Sequence, residues 1–357
     1  MRIMKLSDYI AQIRPVDEQA RQQAKEKWAS CTKPLGSLGQ LETALEDIAA
    51  LTGSSAIDLS KRSVLVFCAD NGVVAQGVTQ SGSEVTGIVA RNLAGRRTSV
   101  CRMANAAGCE VVPVDVGIAD FEPYDGVLSR RVGNGTADIS LGPAMTRAQA
   151  EQAICTGIEM VREQVQQGVR LIATGEMGIG NTTTSSAVAS VLLGRDPVEM
   201  TGRGSGLTDD GLKRKIAAIE RAIAVNQPDA DDPVDVLSKV GGFDIAAICG
   251  AFLGGAIYRV PVLIDGFISA VAALCAVRIC PAADSAIFAS HVSAEPAGRT
   301  MLDALGKKPL ITAGMRLGEG TGAVAAMPLL DMARAVYAES YTFEEGGIEP
   351  YQPLGGF

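Results

Sequence analysis

The run Ser63-Val64-Leu65-Val66-Phe67-Cys68-Ala69, followed by Asp70-Asn71-Gly72, decides the predicted fold. Its apolar residues are continuous rather than alternating, which is typical of a strand buried on both faces of a parallel sheet. Helical stretches separate it from later runs of the same kind, so the sequence predicts an α/β protein whose parallel sheet is covered by helices. The later runs, each ending at polar residues or glycine, are 111–114 before Asp115, 171–174 before Gly175-Glu176, 261–264 before Asp265-Gly266, and 286–289 before Ser290-His291-Val292-Ser293.

These strand ends predict a polar cleft. In open α/β sheets, ligands bind in the crevice at the carboxyl ends of the strands. The side chains predicted to lie there are Asp70, Asp115, Glu176, Asp265, His291 and Ser293. Each one alone also fits a purely structural explanation, because aspartate and glycine commonly end strands. Five such ends in one chain favour a cleft in which only some members are catalytic.

Composition bounds the class of protein. The chain has 357 residues, of which 47% are hydrophobic and only 4% aromatic, with 40 glycines. This profile fits a glycine-rich α/β enzyme with one large core and a smaller satellite domain. The net charge of −8 and the absence of a basic run argue against nucleic-acid binding. A phosphorylated substrate remains compatible with that charge, because phosphate is recognised locally by N–H groups and one or two cations.

Cysteine usage and hydropathy indicate a cytoplasmic location. Eight scattered cysteines and the single histidine, His291, form no zinc pattern, so we expect mostly buried thiols in a reducing compartment. Residues 1–24 are charged and lack the apolar segment of a secretory signal. The most hydrophobic region, 245–283, is interrupted by Arg259, Pro261 and Asp265, and its uninterrupted pieces are too short to cross a bilayer.

A first glycine-rich loop is the run from Thr174 to Thr184, which follows a predicted strand and opens a helix through about residue 193. A helix N-terminus offers unpaired N–H groups to an anion, and either Asn181 or Thr182 is expected to cap it. The run is neither a dinucleotide fingerprint nor a Walker A motif, since no lysine follows its last glycine. The pattern favours phosphate binding over a merely capped helix with a tight turn.

A second glycine-rich run, Thr201-Gly202-Arg203-Gly204-Ser205-Gly206, precedes a predicted helix over about 209–226. Lys215 flanks the apolar stripe of this helix, so its ammonium either extends to water or reaches an anion. Spacing alone favours extension to water. Lys213 is interpreted as an ordinary solvated charge.

A single carboxylate stands between glycines in Met315-Arg316-Leu317-Gly318-Glu319-Gly320-Thr321-Gly322, just before a predicted helix over 323–341. Glycine allows close approach of the backbone to a ligand, so this loop is a plausible way to present Glu319. The structural alternative is a helix-entry loop in which negative charge is favourable near the helix N-terminus. Local sequence alone favours that alternative.

Two phosphate-type loops and a row of carboxylates, without a metal cluster or dinucleotide fingerprint, indicate a small phosphorylated metabolite. An enzyme that breaks the bond at C1 of a ribose phosphate needs an anchor for the 5′-phosphate, stabilisation of an oxocarbenium-like transition state, and a base for the incoming nucleophile. The predicted cleft could supply all three.

Nine stretches together carry a resemblance to a known family. They resemble the nicotinate-nucleotide:dimethylbenzimidazole phosphoribosyltransferases of cobamide assembly and occur in that family's order. The stretches are Lys33-Pro34-Leu35-Gly36-Ser37-Leu38-Gly39, Ala69-Asp70-Asn71-Gly72-Val73, Glu84-Val85-Thr86, Val114-Asp115-Val116-Gly117, Gly175-Glu176-Met177-Gly178-Ile179-Gly180-Asn181-Thr182-Thr183, Lys239-Val240-Gly241-Gly242-Phe243-Asp244, Leu263-Ile264-Asp265-Gly266-Phe267, Ser290-His291-Val292-Ser293-Ala294-Glu295 and Met315-Arg316-Leu317-Gly318-Glu319-Gly320-Thr321-Gly322.

The resemblance implies a reaction and an architecture. The phosphoribosyl group of nicotinate mononucleotide would pass to a nitrogen of 5,6-dimethylbenzimidazole with inversion at C1, giving α-ribazole 5′-phosphate and nicotinate. The resemblance also implies a homodimer, a Rossmann-like catalytic domain over 59–334, and a small helical domain built from 1–58 and 335–357. No metal and no organic cofactor is implied.

The resemblance assigns roles by position. Glu319 matches the general base, and Glu176 matches a second carboxylate near the ribose. The phosphate and nucleotide positions are Gly178, Asn181, Thr182, Gly204, Lys215, Asp265 and Ser293, and the base pocket comprises Ser83, Val89, Met177 and Leu317. For Lys215 this overrides the preference from spacing. One departure concerns base selectivity: many relatives have a glutamine just after Glu-Val-Thr, whereas Gly87-Ile88-Val89 offers no amide here.

Two other functions stay open at this point. The chain could be a metal-assisted phosphohydrolase that uses Asp70, Asp115 and Asp265 as Mg²⁺ ligands. It could instead be a non-catalytic protein that captures a nucleotide or an azole base, although mere capture gives Glu319 no role.

Overall fold

One six-stranded parallel sheet, in the order β3-β2-β1-β4-β5-β6, forms the centre of the computed structural model, which describes residues 4–351. The predicted α/β fold is confirmed. The strands are β1 (Arg62–Ala69), β2 (Glu110–Gly117), β3 (Leu128–Ser129), β4 (Leu171–Met177), β5 (Val262–Ile264) and β6 (Ile287–Ala289).

Helices connect and cover the strands. The α-helices of the described range are α1 (Leu6–Ile10), α2 (Glu18–Ser30), α3 (Gln40–Thr52), α4 (Glu84–Ala94), α5 (Ser99–Ala106), α6 (Arg147–Gln166), α7 (Asn181–Leu193), α8 (Pro197–Met200), α9 (Asp209–Asn226), α10 (Pro233–Val240), α11 (Phe243–Tyr258), α12 (Phe267–Ile279), α13 (Gly298–Ala304), α14 (Thr321–Glu339) and α15 (Phe343–Gly346). Short 3₁₀ helices span Gly72–Gln76 and Pro281–Ala286.

Strand β1 lies at the centre of the sheet. This position explains why its sequence is apolar without alternation. Successive side chains of a strand point to opposite faces. Leu65, Phe67 and Ala69 belong to a core that includes α6, α11 and α12. Val64, Val66 and Cys68 belong to a second core with α3, α5 and α14. Both faces of the sheet are therefore covered, as the sequence predicted.

Two strands extend further than the sequence predicted. In the ladder with β1, Cys68 pairs with Asp115 of β2, and Phe67 pairs with Glu176 of β4. Asp115 and Glu176 therefore lie within the last residues of their strands rather than after them. The reason is that β1 continues to Ala69, so the neighbouring backbones keep pairing even where their side chains turn polar.

The two ends of the chain pack together. The rings of Trp28 and Tyr337 meet edge to face with their centroids 5.0 Å apart, and the Thr32 N–H donates to the Tyr341 carbonyl at 3.2 Å. Trp28 and Tyr337 also share one hydrophobic cluster with Val64 of the sheet. The division into two domains near residues 58 and 335 stays a prediction.

The most hydrophobic region folds as α11, β5 and α12. Arg259 ends α11 in a left-handed conformation with φ of 56°, and strand β5 begins just after Pro261. Among residues 4–351, no helix combines the length and hydrophobicity that crossing a membrane requires.

Candidate active site

A cavity of about 260 Å³ lies at the carboxyl ends of β4, β5 and β6. All the predicted site residues except Lys215, Ser83 and Val89 line it. Those that do are Glu176, Met177, Gly178, Asn181, Thr182, Gly204, Asp265, Ser293, Leu317 and Glu319. His291 lines it too, whereas Asp70 and Asp115 do not. The polar cleft therefore lies at the ends of β4, β5 and β6, and the polar residues that end β1 and β2 do not line it.

The loop between β4 and α7 brings a helix N-terminus to the cavity. Gly180, with φ of 93°, is the N-cap of α7, and no side chain caps the helix. The prediction that Asn181 or Thr182 is the cap is wrong, because Asn181 is already the first residue of the helix. Gly178 lets the loop close on β1, since a Cβ there would lie 2.5 Å from the Ala69 carbonyl oxygen. The Asn181 and Thr183 N–H groups donate to the Gly178 and Gly180 carbonyls, whereas the Thr182 N–H has no partner among the described residues and suits an anion.

Lys215 of α9 lies buried directly behind this loop, with 1% of its surface exposed. Its ammonium donates to the Thr182 hydroxyl at 2.8 Å and the Gly202 carbonyl at 3.1 Å. Burial lowers the pKa of Lys215 to about 8, with the charge of Glu295 opposing that shift. The interpretation that Lys215 extends to water is wrong, because α7 packs over its flank of the helix.

No carboxylate within the described residues lies at salt-bridge distance from Lys215, and its ammonium lies near Gly204, which lines the cavity. A Cβ at Gly204 would lie 3.6 Å from the Lys215 Nζ. Lys213, by contrast, is exposed and pairs with Asp210, in agreement with the sequence interpretation of a solvated charge.

A second uncapped helix N-terminus, that of α12, reaches the same cavity. Gly266 is its N-cap and no side chain caps it, and Phe267 and Ser293 line the cavity next to it. The Ser293 hydroxyl accepts the Glu295 N–H at 3.3 Å and keeps its own proton for another partner. Two helix N-termini, a hydroxyl and Lys215 together make this part of the cavity suited to phosphate.

Carboxyl groups line the same cavity, next to these helix N-termini. Glu176 lies at the end of β4, and the Asn181 amide donates both to Glu176 Oε2 and, at 3.1 Å, to Asp244 Oδ2. Burial raises the pKa of Glu176 well above its usual range and raises the pKa of Asp244 to about 6. The charge of Asp244 adds to the shift at Glu176, whereas the Asn181 hydrogen bond opposes both shifts.

Glu319 projects from a strained loop. It has φ of 60°, a left-handed conformation that costs a non-glycine residue about 1–2 kcal/mol. Its Oε2 is buried without a hydrogen-bond partner among the described residues. Burial raises the pKa of Glu319, while the Val100 N–H and the Thr98 hydroxyl at the start of α5 oppose that shift. A strained, poorly solvated carboxylate is typical of a functional position.

Glycines bring this loop against β4. A Cβ at Gly175 would lie 2.6 Å from the Glu319 carbonyl oxygen, and one at Gly318 would lie 2.5 Å from Glu176 Oε1. The glycines around the two glutamates therefore allow two carboxyl groups to lie on adjoining segments of backbone.

Asp265 caps the helix that follows Glu319. Its carboxylate accepts the N–H groups of Gly320 at 3.0 Å, Gly322 at 2.7 Å and Ala323 at 3.2 Å. Burial raises the pKa of Asp265, and the charge of His291 and these N–H groups oppose that shift. Because Asp265 accepts the N–H groups of the first turn of α14, that turn does not need the Glu319 side chain as a cap.

The proposed base pocket is only partly assembled. Met177 and Leu317 line the cavity, and Leu317 is 54% exposed at its mouth. Ser83 and Val89 do not line it; Val89 packs half-buried against the second core. The departure at Gly87 has a structural counterpart, since a Cβ there would lie 3.1 Å from the Phe121 ring. A glutamine at position 87 would displace that ring.

The three aspartates of the metal hypothesis hold other partners. Asp115 accepts the Gly117 and Ile118 N–H groups and pairs with Arg131 at 2.9 Å, and Asp70 accepts the Ala119 N–H at 2.8 Å. Asp265 is the helix cap described above. Within the described range, no three of the residue types that ligate metals are grouped so that they could hold an ion.

Sequence reasoning missed three residues at this site. Asp244 supports the Asn181 amide, Glu295 lines the cavity near Lys215, and Thr98 faces Glu319. Asp244 and Glu295 ended two of the stretches that carried the family resemblance, so attention to those motif ends could have identified them. Thr98 has no comparable signal in the sequence.

Comparison with known proteins assigns this chain to one class of enzyme. A family model described as phosphoribosyltransferase matches residues 13–348. The chain belongs to the nicotinate-nucleotide–dimethylbenzimidazole phosphoribosyltransferase family and is a transferase. The family member of Acetivibrio thermocellus is 49% identical over 91% of this chain and 92% of the relative, and that of Ruminiclostridium cellulolyticum is 47% identical over 98% and 100%. A crystal structure of CobT from Thermus thermophilus is 40% identical, with a TM-score of 0.89 over 93% of this chain and 100% of that one.

Proposed function

We propose that this enzyme transfers the 5-phosphoribosyl group of nicotinate mononucleotide to 5,6-dimethylbenzimidazole or a related base. The products are α-ribazole 5′-phosphate and nicotinate, in the assembly of the cobalamin nucleotide loop. The names of the relatives give both substrates. The observation that carries the proposal is one cavity that brings phosphate-binding groups and buried carboxyl groups together.

The 5′-phosphate lies among the phosphate-binding groups of the cavity. The uncapped N-termini of α7 and α12 offer N–H groups, and Lys215 and the Ser293 hydroxyl add donors. Charge-assisted hydrogen bonds of this kind fix an anion in position as well as binding it. The Gly204 backbone lines the cavity beside these phosphate-binding groups.

The ribose C1 lies among the carboxyl groups. The bond from C1 to the pyridinium nitrogen breaks, and its electron pair leaves with nicotinate. The negative charge of Glu319 and the Glu176 carboxyl dipole stabilise the positive charge that spreads over the ribose. A benzimidazole nitrogen attacks C1 from the opposite face, which inverts the configuration, and Glu319 accepts the proton from the azole ring. A carboxylate whose pKa is raised towards neutrality is a better general base.

The flat base lies between Met177 and Leu317 at the mouth of the cavity. The absence of an amide at Gly87 leaves fewer polar contacts to select among benzimidazoles. We further expect a homodimer in a reducing, cytoplasmic compartment, because the family resemblance implies the first and eight free thiols support the second.

The direct test incubates the enzyme and nicotinate mononucleotide with a panel of benzimidazoles, purines and phenols and identifies the products by mass spectrometry. We expect base ribotides and stoichiometric nicotinate, with a benzimidazole preferred. Calorimetric binding of the mononucleotide without release of nicotinate would instead support a binding protein. Release of inorganic phosphate that excess EDTA abolishes would support a metal-assisted phosphohydrolase.

A further inference from the structure

Both N–H groups of the Asn181 side-chain amide already donate hydrogen bonds to carboxyl groups. Its two hydrogens satisfy Glu176 Oε2 and Asp244 Oδ2, so neither is left for a ligand. Its Oδ1 accepts a hydrogen bond from no residue of the described chain, and Asn181 lines the cavity. A side chain held in this way offers a ligand one acceptor and no donor.

Asp244 and Glu176 together hold the amide in this orientation. Asp244 is fully buried in the first turn of α11, with Oδ2 accepting from Asn181 and Oδ1 accepting the Ile245 N–H at 3.0 Å. Both oxygens must therefore be acceptors. Asparagine offers one acceptor and one donor, so it could satisfy only one of these two partners.

We propose that Asp244 is a positioning residue that orients Asn181 to accept a hydrogen bond from a ribose hydroxyl. This inference rests on the proposed function and deepens it, because it divides the nucleotide site. The 5′-phosphate monoester is mainly a dianion at neutral pH, so its oxygens accept hydrogen bonds and do not donate to Asn181 Oδ1, whereas a sugar hydroxyl can donate. Asn181 consequently recognises the sugar, while Lys215 and the helix N-termini recognise the phosphate.

Calorimetry with two small probes, ribose 5-phosphate and inorganic phosphate, tests this division. We expect Asp244→Asn to weaken ribose 5-phosphate binding about tenfold, the effect of one lost hydrogen bond, and to leave phosphate binding unchanged. Lys215→Ala is the matched contrast and should weaken both probes. Equal weakening of both probes by Asp244→Asn, or of neither, would overturn the inference.

A second variant keeps the test decisive if Asp244→Asn folds poorly. Asn181→Ala removes the acceptor itself and should weaken ribose 5-phosphate alone, by about the same factor. Because Asp244 acts through Asn181, adding Asp244→Asn to Asn181→Ala should cause no further loss of sugar affinity. Additive losses would contradict the inference.

The same titrations separate the two proposals. A wild-type enzyme that binds neither ribose 5-phosphate nor nicotinate mononucleotide would contradict the proposed function together with the inference. Wild-type binding of ribose 5-phosphate that Asp244→Asn and Asn181→Ala leave intact would contradict the inference alone.

Discussion

The Asp265 carboxylate accepts the Gly322 N–H at 2.7 Å, so the residue that follows strand β5 fastens the first turn of helix α14. The same carboxylate accepts the Gly320 N–H, which places Glu319 next to a fixed point of the backbone. The position of the proposed base thus depends on a helix cap supplied from the sheet.

Asp265→Asn should impair both stability and turnover. Asparagine provides one acceptor where three N–H groups require two, so we expect a loss of about 1–3 kcal/mol in the free energy of unfolding, measured with urea. We also expect kcat to fall, because Glu319 loses its fixed neighbour.

Asp232→Asn is the matched control for that change. Asp232 caps α10 through the Val234 and Asp235 N–H groups and does not line the cavity. Asparagine keeps the Oδ1 that accepts both N–H groups and loses only the exposed ion pair with Arg147, so this variant should lose no more than about 1 kcal/mol of stability and keep its kcat. If Asp265→Asn is destabilised yet also keeps its kcat, Asp265 has no part in holding Glu319.

Gly175→Ala should disturb the site through a single methyl group. Its Cβ would lie 2.6 Å from the Glu319 carbonyl oxygen, so the loop must move away from β4. We expect about 1–3 kcal/mol of destabilisation, typical of overpacking, and a clear fall in kcat.

Gly142→Ala provides the comparison, because a Cβ there has no atom within 4 Å. Its unfolding free energy should change by no more than about 0.5 kcal/mol, with turnover intact. Equal kcat values for the two alanine variants would show that the contact between β4 and the Glu319 loop does not matter for the reaction.

The fold could be predicted from the sequence because apolar runs record burial directly. Val64 and Leu65 face different cores, and a strand covered on both sides has no polar position to alternate with. The bounds of β2 and β4 could not be predicted, since polar Asp115 and Glu176 pair only because β1 continues beside them.

The site was partly predictable for a similar reason. Local motifs identified the glycine loops, because those features lie within a few residues of sequence. For Glu319 the local sequence favoured a helix-entry loop, and the family resemblance supplied its proposed role. The burial of Lys215 depends on α7 packing over it, and the Asn181–Asp244 contact joins residues 63 positions apart. The spacing of residues along one helix predicts neither the burial of Lys215 nor the contact between Asn181 and Asp244.

Lys215→Ala should weaken binding of the phosphorylated substrate. Loss of one charge-assisted hydrogen bond predicts a KM for nicotinate mononucleotide that is about 10- to 100-fold higher in steady-state assays. Lys213→Ala, an exposed neighbour on the same helix, should leave KM unchanged. An unchanged KM in Lys215→Ala would remove that lysine from the phosphate site.

The pH dependence of kcat/KM gives an independent measure of Lys215. Burial lowers its pKa to about 8, so the free enzyme loses this positive charge as pH rises through about 8. We expect kcat/KM for nicotinate mononucleotide to fall across that range in the wild type, and this limb to vanish in Lys215→Ala. A limb that persists in the variant would belong to another group.

The role of Glu319 in proton transfer is tested most directly by nicotinate release in Glu319→Gln at neutral pH. Glutamine keeps the size of the side chain and accepts no proton. We predict normal folding, little change in the KM for nicotinate mononucleotide, and a kcat lower by about 10²–10⁴, the usual contribution of a general base. Nicotinate release by Glu319→Gln at close to the wild-type rate would contradict the account.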